Sequence, residues 1–187
     1  MSGHNKWSQI KRKKGVADAK RSQEFTKVAR LITVAARDGG PDPQANSTLR
    51  LAIEKAKEAR MPKENISRAI DKGIGKLGAG ESFESVTYEG FGPEGVAFFL
   101  KGITDNNNRT FAEIRTLFSK YGGAIGVQGS TAYLFNPDPS SPMYFVDIND
   151  AHVAEKVLKL FDILEEHEDV QEVFANFNIP DDVLEKL

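Results

Sequence analysis

The sequence predicts an α+β protein in two parts: a basic N-terminal three-helix domain over residues 1–76, then an acidic α/β sandwich domain, an antiparallel sheet with two helices, over 77–187. Three observations carry this prediction. Apolar residues recur at helical spacing up to about residue 72 and then give way to short runs rich in Phe, Val, Tyr and Ile. Four glycines crowd the segment from Gly73 to Glu81, which marks it as a linker. The charge changes sign at the same place: residues 1–76 hold 18 Lys and Arg against 8 Asp and Glu, and the remainder hold 7 against 19. The formal net charge of -2 therefore averages two opposed halves, and only the first is suited to a polyanion.

The elements follow in order. From Asp18 to Arg37, residues Phe25, Val28, Ala29, Ile32, Ala35 and Ala36 form one apolar face, and Gly39-Gly40 ends the helix. A second helix from about Asn46 to Arg60 takes Asn46 or Ser47 as its cap and turns Leu49, Ala52, Ile53 and Ala56 inward. Pro62 opens a third, carrying Ile66, Ala69 and Ile70. Strands are expected at Phe83–Glu89 and Val96–Thr104 around the turn Gly90–Gly95, then a helix at Thr110–Tyr121. Two further strands are read at Thr131–Phe135 and Met143–Ile148, a helix from Ala151 to about His167, and a last strand at Val170–Phe177.

Composition excludes much. With 40% hydrophobic and 28% charged residues in 187, the chain is an ordinary globular protein long enough for one large or two small domains. The absence of cysteine removes disulfides and thiolate chemistry. No apolar run approaches the ~18 residues of a membrane span, and the first twenty residues lack the apolar stretch of a secretory signal. A cytoplasmic protein with no membrane partner is expected.

Catalytic and metal signatures are equally thin. Gly90, Gly92 and Gly95 match G-x-G-x-x-G, yet Pro93 interrupts them and a strand follows where a dinucleotide site requires a helix. Gly73-Ile-Gly-Lys76 lacks the spacing and hydroxyl of a phosphate-binding loop. His4, His152 and His167 stand on separate segments without a carboxylate at ligand spacing and read as surface residues, and the acidic run Glu165, Glu166, Glu168 and Asp169 reads as a solvated helix end. We therefore expect no enzyme, no cofactor, no resident metal and no small-molecule substrate.

Two constellations point elsewhere. Lys6, Lys11, Arg12, Lys13, Lys14, Lys20, Arg21, Lys27 and Arg30 face only Asp18 and Glu24, and with Trp7 they form the candidate nucleic-acid surface. An aromatic inside a basic segment can stack on a base; packing of Trp7 on the helical domain is the alternative. Asn107, Asn108, Arg109 and Thr110 stand at a strand-to-helix junction and are a candidate anion site, or simply an over-provided helix cap.

Met1-Ser-Gly-His-Asn-Lys-Trp7, Ile10-Lys-Arg-Lys-Lys14, Asp18-Ala-Lys-Arg21, Phe25-Thr-Lys27, Ala35-Ala-Arg37 and Leu49-Arg-Leu-Ala-Ile-Glu-Lys-Ala56 closely resemble the YebC/PmpR family. Tyr88-Glu-Gly-Phe-Gly-Pro93, Asp105-Asn-Asn-Asn-Arg-Thr110, Phe118-Ser-Lys120 and Asp169-Val-Gln171, with Val173 and Asn176, resemble its later signatures in the same order. The resemblance implies a helical N-terminal domain followed by α/β domains, no catalytic activity and no cofactor. It also implies a regulator of gene expression. Bacterial members are described as DNA-binding transcriptional regulators, ribosome-associated roles are proposed for them, and the mitochondrial relative activates translation of a cytochrome oxidase subunit. One departure stands out: the family's additional α/β domain is missing near residues 136–142, where Asn136–Pro142 bridges directly. The expected partner is nucleic acid, DNA or ribosomal RNA, with the ribosome as a candidate platform. The alternative is a protein-interaction module that binds no nucleic acid.

Overall fold

The computed structural model describes residues 17–78, 82–135 and 139–187, with side chains from residue 22 onward. Helices α1 (Ala17–Gly39), α2 (Ser47–Glu58) and α3 (Lys63–Gly73) form where the apolar spacing places them. Of the two cap candidates Asn46 is used. Its backbone is extended and its side-chain oxygen accepts the Leu49 N–H at 3.0 Å. Its amide also donates to the carbonyls of Ala35 (2.7 Å) and Gly40 (2.9 Å), so one buried side chain ties the end of α1 to the start of α2.

Within the described residues the chain divides into two compact units, 17–85 with 103–106, and 86–102 with 107–187. The core of the first is Val28, Ile32, Ala35 and Ala36 from α1, Leu49, Ala52 and Ala56 from α2, Met61, and Ile66 and Ala69 from α3. So many alanines let the helix axes approach closely. At Gly73 the approach leaves no room at all, since a Cβ there would lie 2.4 Å from the Thr33 carbonyl oxygen. A second face of α1 buries Val34 against Phe83 and Ile103.

Strands β1 (Glu84–Phe91) and β2 (Ala97–Thr104), most of each in the second unit, form a hairpin through the 3-10 turn Pro93–Gly95, in agreement with the reading of the glycine triplet as a turn. With β3 (Ala124–Ile125) and a later strand they make an antiparallel sheet. Helix α4 (Asn107–Lys120) follows β2; β4 (Val146–Asp147), α5 (Ala151–Glu166), β5 (Val170–Ala175), β6 (Phe177–Asn178) and α6 (Asp181–Leu184) complete the chain. The sheet order is β3-β1-β2-β5, with Phe98 opposite Ala175 and Leu100 opposite Val173. These residues share one core with Ile114 and Phe118 of α4 and with Val157, Leu160, Phe161 and Leu164 of α5. Phe98 meets Phe118 edge-on at 5.6 Å, and Phe161 meets Phe177 at 5.9 Å.

Two predicted strands require correction. Over 131–135, Ala132–Leu134 is a 3-10 turn and only Phe135 makes a β-bridge, to Pro142. Thr131 is drawn out of strand pairing because its N–H and hydroxyl serve the Glu89 carboxylate and the Phe98 carbonyl. Over 143–148, only Val146–Asp147 pairs, in parallel, with Phe177 and Asn178 of β6. Asn176 links the two sheets: its side chain accepts the Ala97 N–H at 2.8 Å and its carbonyl accepts the Val146 N–H at 2.8 Å. Around the short join, Tyr133, Met143, Tyr144 and Phe145 are exposed, and the Met143 N–H donates to the Leu134 carbonyl at 3.0 Å.

Candidate nucleic-acid interface

Lys6, Trp7, Lys11, Arg12, Lys13 and Lys14 lie outside the described residues, as do the side chains of Lys20 and Arg21, whose backbone is part of α1. Lys27 is half-buried on α1. Arg30 needs a correction. It is only 9% exposed, donates to the Ile103 carbonyl at 3.4 Å and has its guanidinium 5.2 Å from the centre of the Phe83 ring. Its charge is spent within the helical unit; Arg37 on the same helix donates to the Phe83 carbonyl and pairs with Asp38 at 2.7 Å but stays exposed. Spacing alone could not separate Arg30 from solvent-facing cations.

Further exposed cations sit on α2, α3 and the turn between them, among them Arg50, Lys57, Arg60, Lys63 and Arg68. Lys57, Arg60 and Lys63 cluster at the turn between the helices. Here Arg60 N–H donates to the Lys57 carbonyl (2.9 Å) and Met61 N–H to the Ala56 carbonyl (2.8 Å), which closes α2. Met61 then anchors the turn in the core, and Pro62, with φ -59° and ψ 142°, starts α3. The local charge was the signal for this second cluster: eight Lys and Arg against four acids over 46–76.

The Asn107–Thr110 junction carries its own counter-ion. Arg109 Nη2 lies 2.8 Å and Thr110 Oγ1 2.5 Å from the same oxygen of Asp169, a side chain only 2% exposed. Asn107 accepts from the Tyr88 hydroxyl at 2.8 Å, and Asn108 remains exposed. A buried carboxylate thus stands where an external anion was expected, and Asp169 is not part of a solvated helix end. His167 is likewise largely packed: its Nδ1 accepts the Asp169 N–H (3.1 Å), so the proton of the neutral ring resides on Nε2 and is donated to Glu113 at 3.0 Å. Ligand atoms of Glu113, His167 and Asp169 lie within 4.8 Å of one another, close enough for a cation, but the Arg109 guanidinium already supplies the positive charge to Asp169.

A second buried carboxylate gave no sequence signal. Glu89 is 3% exposed and accepts the N–H groups of Gly129 (2.7 Å), Thr131 (2.6 Å) and Ala132 (2.8 Å) and the Thr131 hydroxyl (3.1 Å). Burial pushes its pKa up, but these hydrogen bonds outweigh it and hold the carboxyl below the usual glutamate range.

Among the described residues no helix is long and apolar enough to cross a membrane. Comparison with known proteins gives a consistent picture. A family model described as the TACO1/YebC protein N-terminal domain matches residues 5–76, and one described as the TACO1/YebC second and third domain matches 83–138. A protein of Syntrophus aciditrophicus named a probable transcriptional regulatory protein is 42% identical over 248 aligned positions, covering 100% of this chain and 99% of that protein. One of the same name from Rubrobacter xylanophilus is 41% identical, with 98% of each covered. The 248 positions exceed the 187 residues here by 61, so the relative carries an internal stretch that this chain lacks. The crystal structure of a conserved hypothetical protein from Aquifex aeolicus, 38% identical, superposes with a TM-score of 0.81 over 88% of this chain and 93% of that one, and has the same α+β fold. The chain belongs to the TACO1/YebC family.

Proposed function

We propose that this protein is a non-enzymatic regulator of gene expression that binds nucleic acid through its basic N-terminal domain, with structured RNA preferred over duplex DNA. The observation that carries the reading is the charge separation, 18 cations against 8 acids in residues 1–76 followed by a strongly acidic remainder. Such a domain neutralises phosphates and releases their counter-ions, and the acidic half is kept off the polyanion and left for protein contacts. The names of the relatives support a regulatory role. RNA is favoured because distributed cations and an aromatic, Lys6, Trp7 and Lys11 to Lys14, suit folded RNA, whereas the loop between the first two helices is too long for a helix-turn-helix.

A second reading rests on the other inter-helix turn. Ala59–Pro62, between α2 and α3, has the four-residue length of a DNA-binding helix-turn-helix and leaves Lys63, Asn65, Ser67 and Arg68 exposed on the following helix. Competition at matched physiological salt separates the two. Folded ribosomal RNA is expected to displace random duplex DNA, and tight, sequence-selective duplex binding that excess ribosomal RNA cannot compete away would restore the transcriptional reading. Changing Lys11, Lys13 and Lys14 together to Ala is expected to flatten the slope of log affinity against log salt by up to roughly three units. An unchanged slope would discard this face.

A further inference from the structure

Three helices of this protein end in the same hydrogen-bond pattern, in which the second residue beyond the helix cap donates back to the third carbonyl from the end. It closes α3 (Lys76 N–H to the Asp71 carbonyl, 3.0 Å), α4 (Gly123 to Phe118, 2.8 Å) and α2 (Met61 to Ala56, 2.8 Å). The pattern forces the intervening residue into the left-handed region. At α3 and α4 that residue is Gly75 (φ 76°) and Gly122 (φ 81°), for which the conformation carries no steric penalty. At α2 it is Arg60, with φ 58°. A Cβ in this region crowds the following carbonyl, so the arginine makes the turn less favourable than glycine does in the same place. Arg60 is exposed, and it is its neighbour Met61, 6% exposed, that enters the core.

Strained residues of this kind cluster at functional positions, and the surroundings of this one are cationic. Lys57 and Lys63 are exposed on the same turn, three residues before and after. Glu58 and Glu64 adjoin them in sequence, but successive residues of a helix point about 100° apart and do not face each other. Glu94, the other non-glycine residue in the left-handed region among those described, lacks such company; it sits with Gly95 in the hairpin turn of the acidic half. We infer that Arg60 is a phosphate-contacting residue, held by the α2–α3 turn between Lys57 and Lys63 as a second RNA-backbone contact outside the N-terminal basic run. The inference rests on the reading of the basic domain as an RNA-binding surface.

The test uses the full chain, a labelled folded ribosomal RNA fragment titrated at several salt concentrations, and thermal melting of each variant. Loss of one phosphate contact removes a factor of about salt concentration to the power -0.7 to -0.9, so Arg60→Gly is expected to bind about five- to eightfold more weakly at 0.1 M salt, with a slope shallower by roughly 0.7 to 0.9. Its melting temperature should equal or exceed that of the parent by up to about 4 °C. Arg60→Lys, which keeps charge and strain together, should restore the slope. Parental affinity and slope in Arg60→Gly, while the parent protein binds RNA with normal salt dependence, would overturn the inference and leave the broader reading intact. A fall in the melting temperature of Arg60→Gly would also overturn it, because the arginine would then serve the fold. Failure of the parent itself to bind would remove both.

Discussion

Replacing Glu89 by Gln tests the buried carboxylate while barely changing its shape. One oxygen accepts from Thr131 and Ala132, and the other from Gly129. Gln has one acceptor, so either the Gly129 N–H or the Thr131–Ala132 pair is left facing an amide donor, at about 1 to 3 kcal/mol for each unsatisfied group. The surviving bonds lose the extra strength of a charged acceptor, roughly 1 kcal/mol each. Relief from burying a charge offsets part of this, and the expected loss is about 3 kcal/mol. Urea unfolding at pH 7 should then show a midpoint lower by roughly 1.5 M for a slope near 2 kcal/mol/M, with faster hydrogen exchange at Thr131 and Ala132. The pH dependence supplies the sign. The carboxyl has a depressed pKa in the folded state, so its stabilisation is full above the unfolded value of about 4.3 and disappears as pH falls through the folded one. The gap between parent and variant should therefore close on acidification below about pH 4. A gap under about 0.5 kcal/mol at pH 7, or one that does not change with pH, would refute the reasoning.

Other substitutions probe the remaining ties. Asn46→Ala should cost roughly 2 to 3 kcal/mol by chemical denaturation, from a lost cap and two stranded carbonyls; Asn46→Asp keeps the cap but sets a carboxylate against the Ala35 and Gly40 oxygens, so its stability should improve as the pH is lowered toward 4. A double-mutant cycle on Arg109→Ala and Asp169→Asn should give a coupling of roughly 1 to 3 kcal/mol, and a coupling near zero would mean that solvent already screens the pair. Leu49→Ala, at a fully buried site between the helices, should destabilise the helical unit by about 2 to 5 kcal/mol in thermal melts.

What the sequence disclosed and what it concealed divide along physical lines. The longer helices were legible because Leu49, Ala52 and Ala56, or Val157, Leu160, Phe161 and Leu164, repeat a face that only a helix can bury. The β1–β2 hairpin was legible from its apolar runs around Gly90–Gly95. Two-residue strands such as β4 exist only because a distant partner is present, and Thr131, Tyr133 and Phe135 mimic a strand until the needs of Glu89 are known. The Arg109–Asp169 pair spans 60 residues and His167–Glu113 spans 54, separations that no local pattern registers. Arg30 misled for the opposite reason: it lies in a run of solvent-type cations, yet faces the side of α1 that meets Phe83 and Ile103.

The join at Phe135–Pro142 has a topological consequence. The backbone on either side is paired, through the Phe135–Pro142 bridge and the Met143–Leu134 hydrogen bond, so the chain leaves and re-enters the second unit at neighbouring points. The core of that unit draws on both flanks, Phe98 and Ile114 before the join and Val157 and Phe177 after it. A folded module whose own ends lie side by side can therefore be spliced in or left out here without rerouting any strand or helix of its host. The locus is suited to serve as a port: an unrelated protein with adjacent termini inserted there is expected to be carried with the surrounding core intact.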